Sequence, residues 1–393
     1  MTPGARIQAA IELLDRISEG APAEKALTTW ARGARYAGSG DRAAVRDHVF
    51  QALRCWRSYA CIGGGETGRA RMIGALRSAK VDPDTFFTGA GHAPEPLSAD
   101  ERSAGTVPLG AAACDLPDWL WDAFRVSLKD RAETAAQMLR ERAPVMLRVN
   151  QARASRDQVI RSLAQDDVKA EPQPIAKNAL LVTHGARKVA RSRAYLEGLA
   201  ELQDGSGQAA MEGINLTDAQ SVLDYCAGGG GKALALAARA QAEIYAHDID
   251  PARMQDLPER AARAGARVAT LETSALASKA PYSIVLCDAP CSGSGTWRRA
   301  PEAKWRLTPE RLAELTEIQA GILREASHLV APEGRLIYAT CSVLRDENED
   351  RIDAFLDSAP EWALRKMQRF DVSEAGDGFF VAHMARKDKI AQF

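Results

Sequence analysis

The feature that most constrains the fold lies in the second half of the chain, where short apolar runs alternate with helical stretches. From about Leu202 onward six such runs follow one another: SVLDYCA, AEIYAHDID, RVATLETS, YSIVLCDAP, GRLIYATCS and GFFVAHMA. Strands that alternate with helices are typical of a parallel, doubly wound α/β sheet. Ligands of such sheets bind beyond the carboxyl ends of the strands, so we expect the functional residues at those ends.

The first half of the chain predicts three regions that precede this sheet. Residues 1–75 carry apolar residues at three- and four-residue spacing and predict an all-α domain. Pro and Gly recur in residues 76–117, which is the composition of a linker. Residues 118–201 contain helical patterns and two strand candidates, PVMLRVN and ALLVTH, and predict a small α+β module. The α/β domain then covers residues 202–393.

Composition restricts the function only in part. The 393 residues include 51 Lys and Arg against 52 Asp and Glu, so a nucleic-acid ligand would need local basic patches. No run of about 18 apolar residues exists, and the N-terminus resembles an amphipathic helix more than a secretory signal. We therefore expect no membrane span and a cytoplasmic location. The cysteines form no CxxC pair and the histidines show no metal-ligand spacing, so we expect no metal.

A glycine loop between the first strand of the sheet and the next helix predicts a cofactor site. Four consecutive glycines, Gly228–Gly231, let a ligand approach the backbone at a helix N-terminus. A Walker P-loop does not fit, because Cys226 stands at its first glycine and Ala233 replaces its Ser or Thr. Asp248, about 20 residues further on, suits both a dinucleotide and an S-adenosylmethionine site, and a turn without ligand is also possible.

Two cysteines at strand ends favour methyl transfer over hydride transfer. Cys291 follows the strand that ends in Asp288, and Cys341 follows the next strand, so both lie on the same rim as the glycine loop. Carbon 5 of cytosine is a poor nucleophile until a thiolate adds at carbon 6, and a second group must then remove the carbon 5 proton. An acid such as Asp288 would stabilise the charge that develops at nitrogen 3.

The sequence resembles the bacterial RsmB/Sun-type RNA cytosine-5 methyltransferases and their eukaryotic NSUN relatives. The resemblance rests on LDYCAGGGGKA, DAPCSGSGTWRRAPEAKW, IYATCSVLRDENED, DGFFVAHM and RAPVMLRVN. The N-terminal helices, with DRAAVRDHVFQALR, are similar to the NusB-like domain of the 16S ribosomal RNA branch. The resemblance implies a Rossmann-like methyltransferase domain, S-adenosyl-L-methionine as cofactor, 5-methylcytosine as product and ribosomal RNA as partner.

The same resemblance implies the roles of individual residues. The Thr-Cys-Ser cysteine, Cys341, would be the nucleophile, and the Pro-Cys cysteine, Cys291, would assist product release. The residues implied around the methyl donor or the target base are Cys226, Ala227, Gly228, Gly229, Gly230, Gly231, Lys232, Asp248 and Asp288. The chain departs from the family's Ala-Pro-Gly-Gly-Lys-Thr loop at Gly228, Gly229 and Ala233, and the acid of the third strand has no clear match.

Basic residues beside aromatic ones suggest where RNA would bind. TWRRAPEAKWR follows the first cysteine motif, and its cations and tryptophans suit phosphates and unstacked bases. The RNA contacts expected on this basis are Arg298, Arg299 and Lys304, together with Arg148 at the end of a strand. The alternative is that the tryptophans belong to a core and that Arg148 is an ordinary strand residue.

Other functions remain open from the sequence alone. The same chemistry could act on transfer RNA, and a methyltransferase of small molecules or proteins would share the fold. A non-catalytic RNA-binding assembly factor is the alternative outside the enzymes. We expect a monomer, and the sequence does not identify the target nucleotide.

Overall fold

The computed structural model describes residues 1–388. The helices in chain order are α1 (Pro3–Ser18), α2 (Ala23–Gly33), α3 (Ser39–Arg54), α4 (Trp56–Gly63), α5 (Gly68–Ser78), α6 (Ala99–Ser103), α7 (Gly110–Ala113), α8 (Asp118–Leu128), α9 (Ala132–Leu139), α10 (Arg156–Gln165), α11 (Arg193–Leu196), α12 (Gly205–Glu212), α13 (Gly231–Ala237), α14 (Leu257–Ala264), α15 (Leu276–Lys279), α16 (Pro301–Arg306), α17 (Pro309–Ser327) and α18 (Glu349–Ser358).

The strands form two sheets. They are β1 (Met146–Val149), β2 (Lys169–Pro172), β3 (Ala179–His184), β4 (Ala200–Leu202), β5 (Ser221–Asp224), β6 (Glu243–Ala246), β7 (Ala269–Thr270), β8 (Tyr282–Asp288), β9 (Val330–Thr340), β10 (Trp362–Phe370) and β11 (Phe379–Arg386). The four-stranded sheet has the order β2-β3-β1-β4, and the seven-stranded sheet has the order β10-β11-β9-β8-β5-β6-β7.

The larger sheet is parallel through five strands and antiparallel at one edge. Strands β5 to β9 pair in parallel, whereas β11 runs antiparallel to both β9 and β10. All six strands predicted from the apolar runs are present, so the predicted α/β fold is confirmed. The seventh strand, β10, was not predicted, because two pairs of polar residues interrupt its sequence WALRKMQRF and it lies at the edge of the sheet.

Apolar side chains of the larger sheet pack on both of its faces. Val222 of β5 faces the core that α12, α13 and α14 cover, and its neighbour Leu223 faces the opposite core, to which α17 and α18 contribute. Successive residues of a strand point to opposite faces, so a strand covered on both sides is apolar throughout. This is why the sequence of these strands consists of continuous apolar runs.

The chain divides into two compact units whose limits differ from the predicted domains. One unit contains residues 1–142 together with residues 297–306, and the other contains residues 143–296 and everything from residue 307 onward. The region predicted as a linker, 76–117, belongs to the helical unit, where Phe87 and Leu97 join the apolar core. Helices α8 and α9, which follow the predicted boundary at residue 118, pack with the helical unit.

The segment Trp297–Arg306 explains the discontinuous division. The Trp297 ring is buried and stacks on Phe124 of α8, with the ring centroids 5.8 Å apart. The Trp305 indole N–H donates to the Leu53 carbonyl at 2.7 Å, and the Glu302 carboxylate accepts from the Ala23 amide at 3.1 Å, where α2 begins. A ten-residue piece of the α/β sequence is therefore part of the helical unit's packing.

Candidate active site

The glycine loop joins β5 to α13 and has the backbone that only glycine adopts easily. Gly228 and Gly230 have φ angles of 51° and 76°, in the left-handed region. A side chain at Gly230 would overlap Leu257 of α14, so this part of the loop also needs the smallest residue for packing. The loop departs from the family's usual sequence at Gly229, whose carbonyl accepts a hydrogen bond from Arg260 of α14.

Asp248 fixes the loop from the end of the neighbouring strand β6. Its buried carboxylate accepts hydrogen bonds from the Gly228 amide at 2.9 Å and from Arg253 at 3.0 Å through Oδ2. Its Oδ1 accepts from the Asp250 amide at 3.0 Å. Oδ1 also accepts from Arg253 at 3.4 Å, and because the Arg253 side chain is about half exposed, this is the bond that a ligand hydroxyl would replace.

Lys232 and Asp288 form an ion pair between the loop and the end of β8. The Lys232 ammonium, in the first turn of α13, donates to Asp288 Oδ2 at 2.5 Å. Burial by itself would lower the pKa of Lys232, but the charge and hydrogen bond of Asp288 outweigh it and raise the pKa. Lys232 therefore stays protonated and supplies positive charge to the rim where the cysteines lie.

Asp224 is a site residue that the sequence analysis missed. It ends β5 directly before the glycine loop, is 1% exposed, and neither carboxyl oxygen has a hydrogen-bond partner of good geometry within residues 1–388. Burial, reinforced by the charge of Asp288, raises its pKa to about 7, although Lys232 and the nearby Ala233 amide act in the opposite direction. Like Asp248 and Asp288, Asp224 is an acidic residue at the end of an apolar run. That shared position in the sequence could have identified it.

Cys291 and Cys341 lie next to each other. The strands that precede them are adjacent and parallel, with Asp288 opposite Ala339, so the two following loops meet at one edge of the sheet. The two Sγ atoms are 3.4 Å apart.

The two thiols differ in acidity. The hydrogen bond from Cys291 lowers the pKa of Cys341, and Lys232 and Thr296 contribute in the same direction against burial and Asp288. That shared hydrogen bond, followed by burial, raises the pKa of Cys291. Cys341 is thus favoured as the thiolate and Cys291 as the thiol that donates to it, which makes Cys341 the better nucleophile.

The other thiols near the site are not activated. Burial raises the pKa of Cys226 in the glycine loop, and the charges of Asp224 and Asp288 raise it further. Cys287 is fully buried within β8, and its pKa is also raised by burial. Cys287 is a packing residue of the sheet's apolar core.

Hydrogen bonds join the two cysteine loops to each other. The Gly295 amide donates to the Cys341 carbonyl at 2.9 Å, and the Val343 amide donates to the Ser294 hydroxyl at 2.9 Å. Ser294 and Ser342 also share a hydrogen bond of 2.8 Å between their hydroxyls. Several bonds between their backbones and serines therefore contribute to the relative position of the loops.

Most of the residues expected to contact RNA are not at the surface. Arg298 and Lys304 are each 1% exposed, and Lys304 donates to the Arg54 carbonyl at 3.2 Å within the helical unit. Arg148 is buried as well, and its Nε donates to Gln203 Oε1 at 2.5 Å. The structure does not support RNA contacts for these three, because a side chain enclosed by protein cannot reach a phosphate. Arg299 is exposed, and its RNA contact stays a prediction.

Membrane-spanning helices and metal clusters are both absent from residues 1–388. Within this range, no helix has both the length and the apolar character that crossing a membrane requires. The same residues contain no group of three or more His, Cys, Asp or Glu side chains arranged to hold a metal ion.

Two family models match the chain. One, described as 16S rRNA methyltransferase RsmB/F, matches residues 211–389, and another, described as an RsmF/B-like ferredoxin-like domain, matches residues 116–189. The first covers the seven-stranded sheet and both cysteine loops. The second begins close to the predicted start of the α+β module.

Curated relatives carry similar names. The chain is 31% identical over 285 residues to ribosomal RNA small subunit methyltransferase B of Salmonella newport, and 31% identical over 293 residues to that of Yersinia pseudotuberculosis. Each match covers 69% of this chain and 66% of the relative. The chain thus spans just under two thirds of the length of these relatives.

Solved structures share the fold. The crystal structure of PH0851 has a TM-score of 0.74 at 24% identity, and the match covers 98% of this chain and 99% of that one. NSun6 from Pyrococcus horikoshii has a TM-score of 0.60 at 18% identity, with 70% of this chain and 99% of that one covered.

Proposed function

Because the chain belongs to the RsmB/F family of methyltransferases, we propose that it transfers a methyl group from S-adenosylmethionine to carbon 5 of a cytosine in RNA. The observation that carries this proposal is the pair of thiols, 3.4 Å apart, beside a glycine loop and a Lys–Asp ion pair. Hydride transfer and methylation of an amine or hydroxyl require no such pair of thiols. Methylation of a pyrimidine carbon requires a nucleophile and a group that assists its release.

The residues around the loop fit S-adenosylmethionine. Asp248 accepts from the half-exposed Arg253, a donor that the hydroxyls of a ribose would replace, and the positive φ angles of the loop keep the backbone open to a ligand. Asp224 is a buried carboxyl without a good hydrogen-bond partner, a group that a cationic ligand nearby would stabilise in its ionised form. When bound, the cofactor supplies an electrophilic methyl group on a sulfonium.

The site residues divide the reaction into addition, transfer and release. The Cys341 thiolate adds to carbon 6 of the cytosine, forming a carbon–sulfur bond and making carbon 5 nucleophilic. The Lys232–Asp288 pair holds a proton next to the ring and stabilises the charge that develops at nitrogen 3. After methyl transfer, a water that the Cys291 thiol orients takes the proton on carbon 5, the carbon–sulfur bond breaks with its electron pair returning to Cys341 as a thiolate, and the ring becomes aromatic again.

We propose 16S ribosomal RNA as the substrate. The names of the curated relatives and the description of the matching family model support this choice. The α+β module, which the second family model matches, is the part of the chain that would hold the RNA beside the site.

The test is a pair of cysteine variants assayed with 16S RNA transcript and radiolabelled S-adenosylmethionine. Cys341→Ala should lose methyl transfer by at least about 1000-fold, since the covalent step is removed. Cys291→Ala should instead accumulate a protein–RNA adduct that survives a denaturing gel. Cys61→Ala, a half-buried cysteine of α4, is the matched control and should leave methylation unchanged.

Two results would contradict the proposal. Methylation that continues in Cys341→Ala would exclude the covalent mechanism. An adduct that forms in Cys341→Ala but not in Cys291→Ala would mean that the two roles are exchanged.

A further inference from the structure

The carboxylate of Glu347 lies in the protein interior, where an unpaired charge would be destabilising. It ends the short turn Arg345–Glu347 that follows the Cys341 loop, and it is 0% exposed. A buried carboxylate is costly unless hydrogen-bond donors surround it. The donors around Glu347 all belong to, or bind, the loop that carries Cys291.

Glu347 holds the residues on both sides of Cys291. Its carboxylate accepts from the Ser292 amide at 2.7 Å and from the Ser292 hydroxyl at 2.5 Å. It also accepts at 3.1 Å from the Gln319 side-chain amide of α17, which donates in turn to the Pro290 carbonyl at 3.0 Å. Residues 290 and 292 are thus fixed through one buried carboxylate.

The next residue, Asn348, holds the residues on both sides of Cys341. Its Oδ1 accepts from the Thr340 hydroxyl at 2.6 Å, and its side-chain amide donates to the Ser342 carbonyl at 2.9 Å. Both residues are fully buried, and the Tyr338 hydroxyl of β9 anchors the dipeptide by donating to the Glu347 carbonyl at 2.7 Å. Two adjacent residues therefore hold the flanks of two cysteines that are 50 residues apart in sequence.

We propose that Glu347 and Asn348 are positioning residues that set the distance between the Cys291 and Cys341 sulfurs, and that Glu347 thereby governs release of the methylated product. The effect on product release rests on the proposed function, whereas the effect on the distance between the two sulfurs does not. The hydrogen bond to Cys341, burial and the charge of Cys341 are the larger causes of the raised pKa of Cys291, and the charge of Glu347 adds to them and so helps to keep Cys291 as the donor.

The test replaces Glu347 by Gln, which keeps the shape but turns one acceptor oxygen into an N–H donor facing Ser292. Glu347→Gln should retain formation of the Cys341 adduct but release it at least about tenfold more slowly, because a misplacement of 1 Å can cost about 100-fold. The adduct should accumulate on a denaturing gel with 16S transcript, and Glu347→Gln combined with Cys341→Ala should form none.

A second measurement needs no RNA. Native protein is treated with iodoacetamide, and the alkylation rates of Cys291 and Cys341 are compared by peptide mass spectrometry. Glu347→Gln should raise the Cys291 rate relative to that of Cys341 by about fivefold or more, since a loosened loop exposes the thiol. Ser292→Ala removes only the hydroxyl bond and should shift the ratio in the same direction by less. It serves as the second variant if Glu347→Gln fails to fold.

The matched control is Glu212→Gln in α12, whose carboxylate also accepts from two backbone amides, those of Lys177 and Asn178, at 2.9 and 3.3 Å. It should change neither measurement. An unchanged alkylation ratio in folded Glu347→Gln, or an equal fall in adduct formation and release, would overturn the inference. A changed ratio without an adduct in either Glu347→Gln or Cys291→Ala would instead overturn the proposed chemistry and leave the positioning role standing.

Discussion

At the scale of single residues, Asp224 shows how burial changes the chemistry of a carboxyl. Its three neighbours in function, Asp248, Asp288 and Glu347, all accept hydrogen bonds of good geometry, whereas its own two oxygens do not. The resulting pKa of about 7 means that the side chain is neutral below this pH and charged above it. A carboxyl that changes charge near neutral pH responds to a nearby ligand charge.

Replacement of Asp224 by Asn should stabilise the protein in the absence of cofactor, and more so at higher pH. The folded pKa lies above the unfolded value, so stability is fully present below about pH 4 and is lost as the pH rises through about 7. The gain from Asp224→Asn should reach up to roughly 4 kcal/mol at pH 8 and less than half of that at pH 5. Thermal unfolding at both pH values measures it.

The exposed Asp218→Asn is the control and should give the same small change at both pH values. A stability difference between Asp224→Asn and the wild type that does not grow with pH would show that Asp224 is already ionised at pH 5.

Sequence motifs predicted some site residues and not others. Cys291, Cys341 and Asp288 stand at the ends of apolar runs, and that position identified them. Glu347 and Asn348 lie in DENED, an acidic run that looks like the solvated start of a helix. Which of its side chains turn inward depends on donors that come from distant parts of the chain, and no local pattern carries this information.

At the scale of elements, the contact between the first cysteine loop and the start of β11 is tight enough to be tested. The Gly378 amide donates to the Gly295 carbonyl at 3.0 Å, and a side chain on Gly295 would overlap the Gly378 backbone. Gly295 also donates to the Cys341 carbonyl, so its displacement would reach Cys341.

Gly295→Ala should destabilise the protein by about 1–3 kcal/mol through overpacking and should lower the rate of Cys341 alkylation. Gly207→Ala in α12 is the control, because nothing lies within 4 Å of the position that the added Cβ would occupy, and it should change stability by no more than about 1 kcal/mol. Denaturant unfolding measures the stability of each variant, and iodoacetamide kinetics measure the alkylation rate of Cys341. Equal effects of the two substitutions on stability and alkylation would show that the contact between Gly295 and Gly378 does not require glycine.

Elements were predictable where burial on both faces left an apolar sequence. Strands β5, β8 and β9 were found in this way, whereas β2, β4 and β10 were not. The first two are only four and three residues long, and four consecutive residues of β10 are exposed, so none carries a clear period. The antiparallel edge of the larger sheet was missed for the same reason, since β10 and β11 form it together.

At the scale of the whole molecule, residues 297–306 follow the first cysteine loop in sequence but contribute to the stability of the helical unit. The sequence motif TWRRAPEAKWR suggested an RNA-binding loop, because cations beside tryptophans are typical of such loops. The partners that bury Trp297, Arg298 and Lys304 lie more than 150 residues earlier in the chain, in α3 and α8. A contact of that sequence separation cannot be deduced from local spacing.

Replacement of Trp297 by Ala should destabilise the helical unit by about 3–5 kcal/mol, since a fully buried ring is removed from its stack on Phe124. Limited proteolysis should then cleave within residues 1–142 first. Ala303→Ser, an exposed position in α16, is the control and should leave the cleavage pattern unchanged. Cleavage that begins elsewhere in the chain would contradict the assignment of this segment to the helical unit.

The inclusion of residues 297–306 in the helical unit also sets an order of events during synthesis. Roughly 150 residues separate Arg142 from Trp297, and a ribosome adds about 5–20 residues per second. The N-terminal helices therefore emerge about 8–30 s before the tryptophan that stacks on Phe124. During that interval the surface that Trp297 later covers is open to chaperones and to neighbouring nascent chains, and the helical unit is completed only when residues 297–306 have been made.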